Sequence, residues 1–70
     1  MLHIELEQED DGRWIAEIPE MPGVLVYGAT REDAIAQVQA LALRVVADRV
    51  EHEHSARLTS VKFSLAKRAA

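Results

Sequence analysis

The chain has 70 residues, of which 49% are hydrophobic and 29% are charged, and its formal net charge is −4. This length predicts one small domain, and this composition is typical of a globular chain rather than a disordered one. Because the sequence contains no cysteine, a disulfide scaffold and a cysteine-ligated zinc site are excluded. No apolar run approaches the roughly 20 residues of a membrane span, and the acidic start is unlike a secretory leader. We therefore expect a cytoplasmic protein with no membrane partner.

The first part of the chain predicts a β-hairpin. Two runs of apolar residues alternate with other residues at the period of a half-buried strand. They are Leu2, Ile4 and Leu6, followed by Trp14, Ala16 and Ile18. Between them, Glu9–Gly12 is typical of a turn in which Gly12 takes a positive φ. We expect Trp14 to lie in the core, although Trp14 and Tyr27 are also residue types that anchor protein interfaces.

The segment after the hairpin predicts a rigid corner and a third strand. Pro19 and Pro22 fix φ at two points, and Gly23 permits a sharp change of direction. We expect a positive φ at Gly23 and a close neighbour where its Cβ would lie. The apolar residues 24–27 then predict a short strand that Gly28 ends.

A long helix is predicted from about Arg31 to about Glu53. Thr30 is a typical N-cap, and acidic residues in the first turn favour the positive end of the helix. Apolar side chains cover roughly 200° of this helix, which is more than one sheet needs. We therefore predict self-association as a homodimer or tetramer. The predicted interface residues are Leu43, Val46, Ala47 and Val50.

A polar break at residues 51–60 is followed by a fourth predicted strand. Val61, Phe63 and Leu65 alternate with polar residues, again with a period of two. We expect the folded domain to cover residues 1–66 and residues 67–70 to form a disordered tail. The predicted fold class is α+β, with element order βββαβ.

Acidic residues are concentrated at the start of the chain. Residues 1–20 contain seven acids and one arginine, whereas residues 44–70 contain six bases and three acids. An acidic surface repels nucleic-acid phosphates and attracts a basic protein. A solvated sheet face that keeps the protein soluble is the simpler interpretation, and it stays open. The predicted partner-binding residues are Glu5, Glu7, Glu9, Asp10, Asp11, Glu17, Glu20 and Met21.

Little in the sequence is arranged for catalysis or metal binding. No nucleophile motif surrounds the serines, and the three glycines are isolated turn residues rather than a phosphate loop. His52 and His54 could chelate a metal from an extended chain, but on a helix they point about 200° apart, so a polar helix end is the simpler interpretation. We expect no catalytic, cofactor-binding or metal-binding residues. Lys62, Lys67 and Arg68 form only a weak basic cluster, so we expect no direct DNA binding by this chain.

Several local patterns follow one another between residues 11 and 34. They are an acidic turn with a glycine, an aromatic strand, a Pro-x-hydrophobic-Pro-Gly loop, a Gly-x-Thr turn, and a helix that opens with acid-acid-Ala. These patterns are carried by Asp11–Val24 (DGRWIAEIPEMPGV), Tyr27–Thr30 (YGAT) and Arg31–Ala34 (REDA). In this order and spacing they resemble the HicB antitoxin family, and the similarity extends over nearly the whole chain through residue 65.

The resemblance implies a fold and a partner. The implied fold is a βββαβ domain similar to a truncated RNase H fold, with an antiparallel three-stranded meander, a fourth strand and one long helix on the sheet. HicB proteins neutralise HicA toxins, which are small basic mRNA-cleaving ribonucleases, by covering the toxin active site, usually as homo-oligomers. Full-length HicB proteins usually carry a C-terminal DNA-binding domain, and residues 1–70 show no counterpart of it.

Two functional hypotheses follow from the sequence. The first is an antitoxin that binds and blocks a HicA-like toxin. The second is a stand-alone homo-oligomer with a structural or regulatory role and no toxin partner. An enzyme is disfavoured, because metal-dependent nuclease chemistry needs several converging carboxylates and the predicted fourth strand offers none.

Overall fold

The computed structural model describes residues 1–53 and 61–67. Its elements in chain order are β1 (Leu2–Gln8), β2 (Trp14–Glu17), β3 (Leu25–Gly28), α1 (Arg31–Glu53) and β4 (Phe63–Lys67). Within these residues the strands form one mixed sheet in the order β3-β2-β1-β4. The first three strands are an antiparallel meander, and β4 lies parallel to β1. The predicted α+β class and βββαβ order are therefore confirmed.

The element boundaries differ from the predicted ones by a few residues. Strand β3 begins at Leu25 and includes Gly28, whereas α1 has the predicted bounds, Arg31–Glu53. Strand β4 ends at Lys67, one residue past the predicted end of the domain. The rest of the predicted break, residues 54–60, and the rest of the predicted tail, residues 68–70, lie outside the described residues.

The hairpin turn forms as its sequence predicts. Gly12 has a φ of 92°, and its N–H donates to the carbonyl of Glu9 at 2.9 Å. The N–H of Glu9 donates to the carbonyl of Arg13 at 2.7 Å, which closes the turn. This geometry sets Glu5 opposite Glu17 and Glu7 opposite Ile15 in the β1–β2 register. Alternate side chains of each strand therefore point to opposite faces of the sheet.

The hydrophobic core lies between α1 and one face of the sheet. Its buried members are Ile4, Leu6, Ala16, Ile18, Met21, Val24, Ala34, Val38 and Ala42. Trp14 is partly buried and packs against this cluster, as expected. Full burial of one large aliphatic side chain, such as Ile4 or Ile18, contributes roughly 1.5–3 kcal/mol.

The helix begins at the predicted cap. The N–H of Asp33 donates to the hydroxyl oxygen of Thr30 at 3.0 Å, and the carboxylate of Asp33 accepts from the N–H of Ala29 at 3.3 Å. The first contact satisfies a backbone donor that a helix start otherwise leaves unpaired, and the second restrains the residue just before the cap. The turn from β3 into α1 therefore needs only two connecting residues, Ala29 and Thr30.

The helix covers only part of the sheet. It contacts β3, β2 and β1 but, among the described residues, not β4. Leu65 is in register with the buried Ile4 and so faces the helix side of the sheet, yet it is 52% exposed. On α1 itself, Leu43 is 47% and Val50 is 37% exposed. Apolar surface therefore remains open on both α1 and β4.

The corner after β2 is built around Met21 and Gly23. The N–H of Met21 donates to the carbonyl of Ile18 at 2.9 Å. The N–H of Val24 donates to the carbonyl of Met21 at 3.0 Å. Gly23 has a φ of 89°, so the predicted positive φ is confirmed. The expected close neighbour is wrong, because a Cβ on Gly23 would meet no described atom within 4 Å.

The tight backbone approach occurs instead at Gly28. A Cβ there would lie 2.5 Å from the backbone nitrogen and 2.8 Å from the Cα of Ala34, in the first turn of α1. Neither of these atoms can move without moving the helix. Gly28 is therefore the residue that lets α1 rest directly on β3.

We predict that Gly28→Ala lowers the free energy of unfolding by roughly 2 kcal/mol or more, because the added methyl group overlaps the helix backbone. Urea unfolding followed by circular dichroism measures this change. An unfolding midpoint equal to that of the wild type would contradict the packing described at Gly28.

Gly23→Ala is the matched control for this substitution. It meets open space, and only its positive φ is unfavourable, so we expect a smaller loss of about 1 kcal/mol. A larger loss at Gly23 than at Gly28 would reverse the assigned roles of the two glycines.

Candidate protein-binding surface

The sheet face opposite α1 is the main surface that the hairpin builds, and we call it the outer face. Its members on β1, β2 and β3 are His3, Glu5, Glu7, Ile15, Glu17, Leu25 and Tyr27. The strand register arranges them in rows, with Leu25, Glu17 and Glu5 in one row and Tyr27, Ile15 and Glu7 in the next. Since helix-facing side chains form the core, the outer face is the side of the sheet that a partner can approach.

Three of the predicted partner-binding acids come together on the outer face. Glu5 lies directly opposite Glu17, and Glu7 is the next residue of β1 on the same face. Like charges in direct cross-strand opposition destabilise a sheet, so this arrangement has a cost in stability. Each of the three residues also has an interaction within the chain.

The other half of the outer face is apolar. Ile15 is buried between Glu7 and Tyr27, whereas Leu25 and Tyr27 are exposed, Tyr27 by 45%. Leu25 was absent from the predicted site, and Tyr27 was considered only as a general interface residue type. The alternation of residues 13–17 and 24–27 was the available signal, because it places these side chains opposite the core.

Arg13 lies at the edge of the outer face, where its side chain contacts Tyr27. Its guanidinium lies 4.7 Å from the centre of the Tyr27 ring, within the range of a cation–π contact. Its Nε donates to a carboxylate oxygen of Asp11 at 2.8 Å, and its backbone N–H donates to the other at 3.1 Å. The backbone N–H of Arg13, followed by its side chain, lowers the pKa of Asp11. Asp11 therefore serves to hold Arg13 over Tyr27.

The remaining predicted acids do not join the outer-face cluster. Glu9 and Asp10 lie at the turn that ends β1, and Glu20 lies at the opposite end of the sheet, beside His3. Met21 is a correction to the prediction. Its side chain is 3% exposed and belongs to the core, because the turn after Ile18 directs it under α1.

His3 and Glu20 form a clasp between the start of β1 and the corner loop. The backbone N–H of His3 donates to one carboxylate oxygen of Glu20 at 3.0 Å, and its ring Nδ1 lies 2.5 Å from the other. The His3 ring, followed by its backbone N–H, lowers the pKa of Glu20 from 4.5 to about 2. Both side chains are substantially exposed, so the clasp orients the loop in contact with solvent.

The predicted self-association residues divide into two groups. Leu43, Ala47 and Val50 are exposed on the side of α1 that faces away from the sheet. Val46 is partly buried and packs against the core instead. It also lines a pocket of about 230 Å³ with Met1, Leu2, Glu20, Met21, Arg49, Val61 and Lys62. This volume is below the range of about 300–1,000 Å³ that is usual for small-molecule sites.

His52, near the end of α1, contacts one other side chain of a metal-binding type, that of Asp48. The ring Nδ1 of His52 lies 2.8 Å from the backbone oxygen of Asp48 and 3.1 Å from its carboxylate. His54 lies outside the described residues. In residues 1–53 and 61–67, no group of three or more histidine, aspartate or glutamate side chains is placed to hold a metal ion.

Comparison with protein-family models, with curated proteins and with solved structures finds no match to this chain. In the described part of the chain, no helix has both the length and the apolar character needed to cross a membrane.

The clasp predicts an acid-dependent loss of stability. Because folding lowers the pKa of Glu20, its contribution is present above pH 4.5 and is lost as the pH falls toward about 2. Glu20→Gln should therefore unfold at lower urea concentration than the wild type at pH 6, and this difference should shrink toward zero near pH 2. Urea unfolding at several pH values measures it.

Asp10→Asn provides the control, because Asp10 is an exposed acid in the turn at the other end of β1, away from His3. We expect it to follow the wild-type acid dependence. A wild type and a Glu20→Gln variant that differ equally at pH 6 and pH 2 would show that the charge of Glu20 does not stabilise the clasp.

Proposed function

We propose that this chain is a HicB-like antitoxin domain, with a truncated RNase H-like fold, that binds and blocks a small basic HicA-like ribonuclease toxin. The observation that carries the proposal is the composition of the outer face. Carboxylates of Glu5, Glu7 and Glu17 lie side by side there, next to exposed Leu25 and Tyr27. Exposed aromatic and aliphatic side chains next to charged ones are common in protein-binding surfaces.

In this proposal the acidic half of the outer face attracts the cationic RNA-binding groups of the toxin. A ribonuclease must hold RNA phosphates with cationic groups, and those groups are attracted to a cluster of carboxylates in the same way. The antitoxin would thus occupy the RNA-binding side of the toxin with negative charge. The chain acts in this proposal by binding, and the reaction that it prevents belongs to the toxin.

The apolar half of the outer face has a different role in the same complex. Rim charges act mainly on the association rate and its salt dependence, whereas buried aromatic contacts slow dissociation. Tyr27 is suited to the second role, because the contact with Arg13 restrains its ring before binding. The two halves together would bring the toxin in quickly and retain it.

A stand-alone homo-oligomer with a structural or regulatory role is the second candidate function. It is favoured by the exposed Leu43 and Val50 on α1 and by Leu65 on the uncovered side of β4. A chain of this size forms a small core, and association with further copies is a common way to stabilise such a fold. This candidate requires no toxin.

RNA cleavage by a HicA-like toxin encoded beside this chain tests the main proposal. We expect cleavage of a model mRNA to fall in proportion to added chain and to stop near equimolar amounts. Full cleavage in the presence of excess chain would contradict the antitoxin function and leave the homo-oligomer as the better candidate.

We predict that Glu7→Lys combined with Glu17→Lys slows association with the toxin by about tenfold at low salt and by much less at high salt. The reason is that charge steering is screened by ions. Reversal of Glu17 also places a cation opposite Glu5, which favours the sheet pairing and preserves the fold. Stopped-flow binding at two salt concentrations measures the rates.

The matched control is Glu32→Lys combined with Asp48→Lys, which makes the same change in net charge on α1. We expect its association rate to stay close to that of the wild type. Equal slowing by both double variants would show that net charge, rather than the outer face, governs encounter with the toxin.

A further inference from the structure

The side of α1 that faces away from the sheet carries a regular apolar seam. Its members are Ala36, Ala40, Leu43, Ala47 and Val50, which repeat at alternating intervals of four and three residues and are all exposed. Side chains at these intervals lie along one line of a helix, which is the spacing by which two helices interlock. The alanines permit a close approach of two helix axes, and Leu43 and Val50 supply the larger contacts.

Two opposite charges beside this seam would meet if two copies of α1 packed in antiparallel directions. Arg44 and Glu51 are both exposed, and they lie seven residues, or about two turns, apart on the same flank of the seam. If two copies of α1 cross in opposite directions between Ala47 and Asp48, each Arg44 faces Glu51 of the partner subunit. In a parallel pair of helices in register, Arg44 would not lie next to Glu51 of the partner subunit. The opposed helix dipoles also favour the antiparallel order.

We propose that the C-terminal half of α1 is a homodimer interface, in which two copies of the helix pack antiparallel with their crossing point between Ala47 and Asp48. The inference does not rest on the toxin proposal, because the outer face lies on the opposite side of the sheet. In the dimer both outer faces stay open. Self-association can therefore succeed or fail independently of toxin binding.

Sedimentation equilibrium of the full chain at micromolar concentration tests the interface. We expect a species of twice the 7.8 kDa chain mass. Ala47→Arg should weaken dimerisation at least about tenfold, because a long charged side chain enters the point of closest approach. Ala36→Arg makes the same change on the same seam but outside the crossing, and it should leave the dimer intact. Both positions are exposed, and circular dichroism verifies that both variants fold.

A charge exchange tests the antiparallel order. Arg44→Glu alone and Glu51→Arg alone should each weaken the dimer about fivefold, since each creates two like-charge contacts across the two-fold axis. The double variant should recover an affinity within about twofold of the wild type, because the pairs are restored with reversed sign. Failure of the double variant to recover would overturn the proposed arrangement.

The remaining outcomes are also decisive. A wild type that sediments only at 7.8 kDa overturns the proposal, as does a dimer that Ala47→Arg leaves unchanged. Leu65→Asp distinguishes the competing surface on β4. A dimer that is lost with Leu65→Asp and retained with Ala47→Arg would assign the interface to the sheet edge, whereas the reverse pattern supports the helix seam.

Discussion

The contact between the backbones of Gly28 and Ala34 is the constraint on which the arrangement of this domain depends. Because β3 turns into α1 within two residues, the first helical turn must rest directly on the last residue of the strand. Only glycine leaves room for this approach. The helix is thereby placed over β3 and its neighbours, and β4, at the far edge of the sheet, lies beyond its reach.

This placement gives the molecule two surfaces of different character. In residues 1–53 and 61–67 no helix covers the outer face, which combines a carboxylate cluster with exposed aromatic and aliphatic side chains. The helix has more apolar surface than its own sheet can cover, so Leu43 and Val50 stay open on the other side. The described residues therefore leave two surfaces open, an acidic and aromatic one on the sheet and an apolar one on the helix.

The acidic part of the candidate site was predictable, and its apolar part was largely missed. Period-two alternation is enough to place Glu5 and Glu7 on one strand face, and the hairpin turn is recognisable from Glu9–Gly12. Met21 was assigned to the partner surface because it lies in a loop, yet the corner turns its side chain into the core. Loop residues carry no periodicity, so their burial depends on backbone turns that local patterns do not specify.

The sequence by itself determined the type and order of the elements, the N-cap at Thr30 and the positive φ at Gly12 and Gly23, because each depends on residues close together in the chain. Only the tertiary structure decided that β4 pairs parallel with β1, that Leu65 remains uncovered and that Gly28 carries the helix. Each of these features depends on contact between separate elements. Hydrophobic periodicity records which side of an element is apolar, and it does not record which neighbour covers that side.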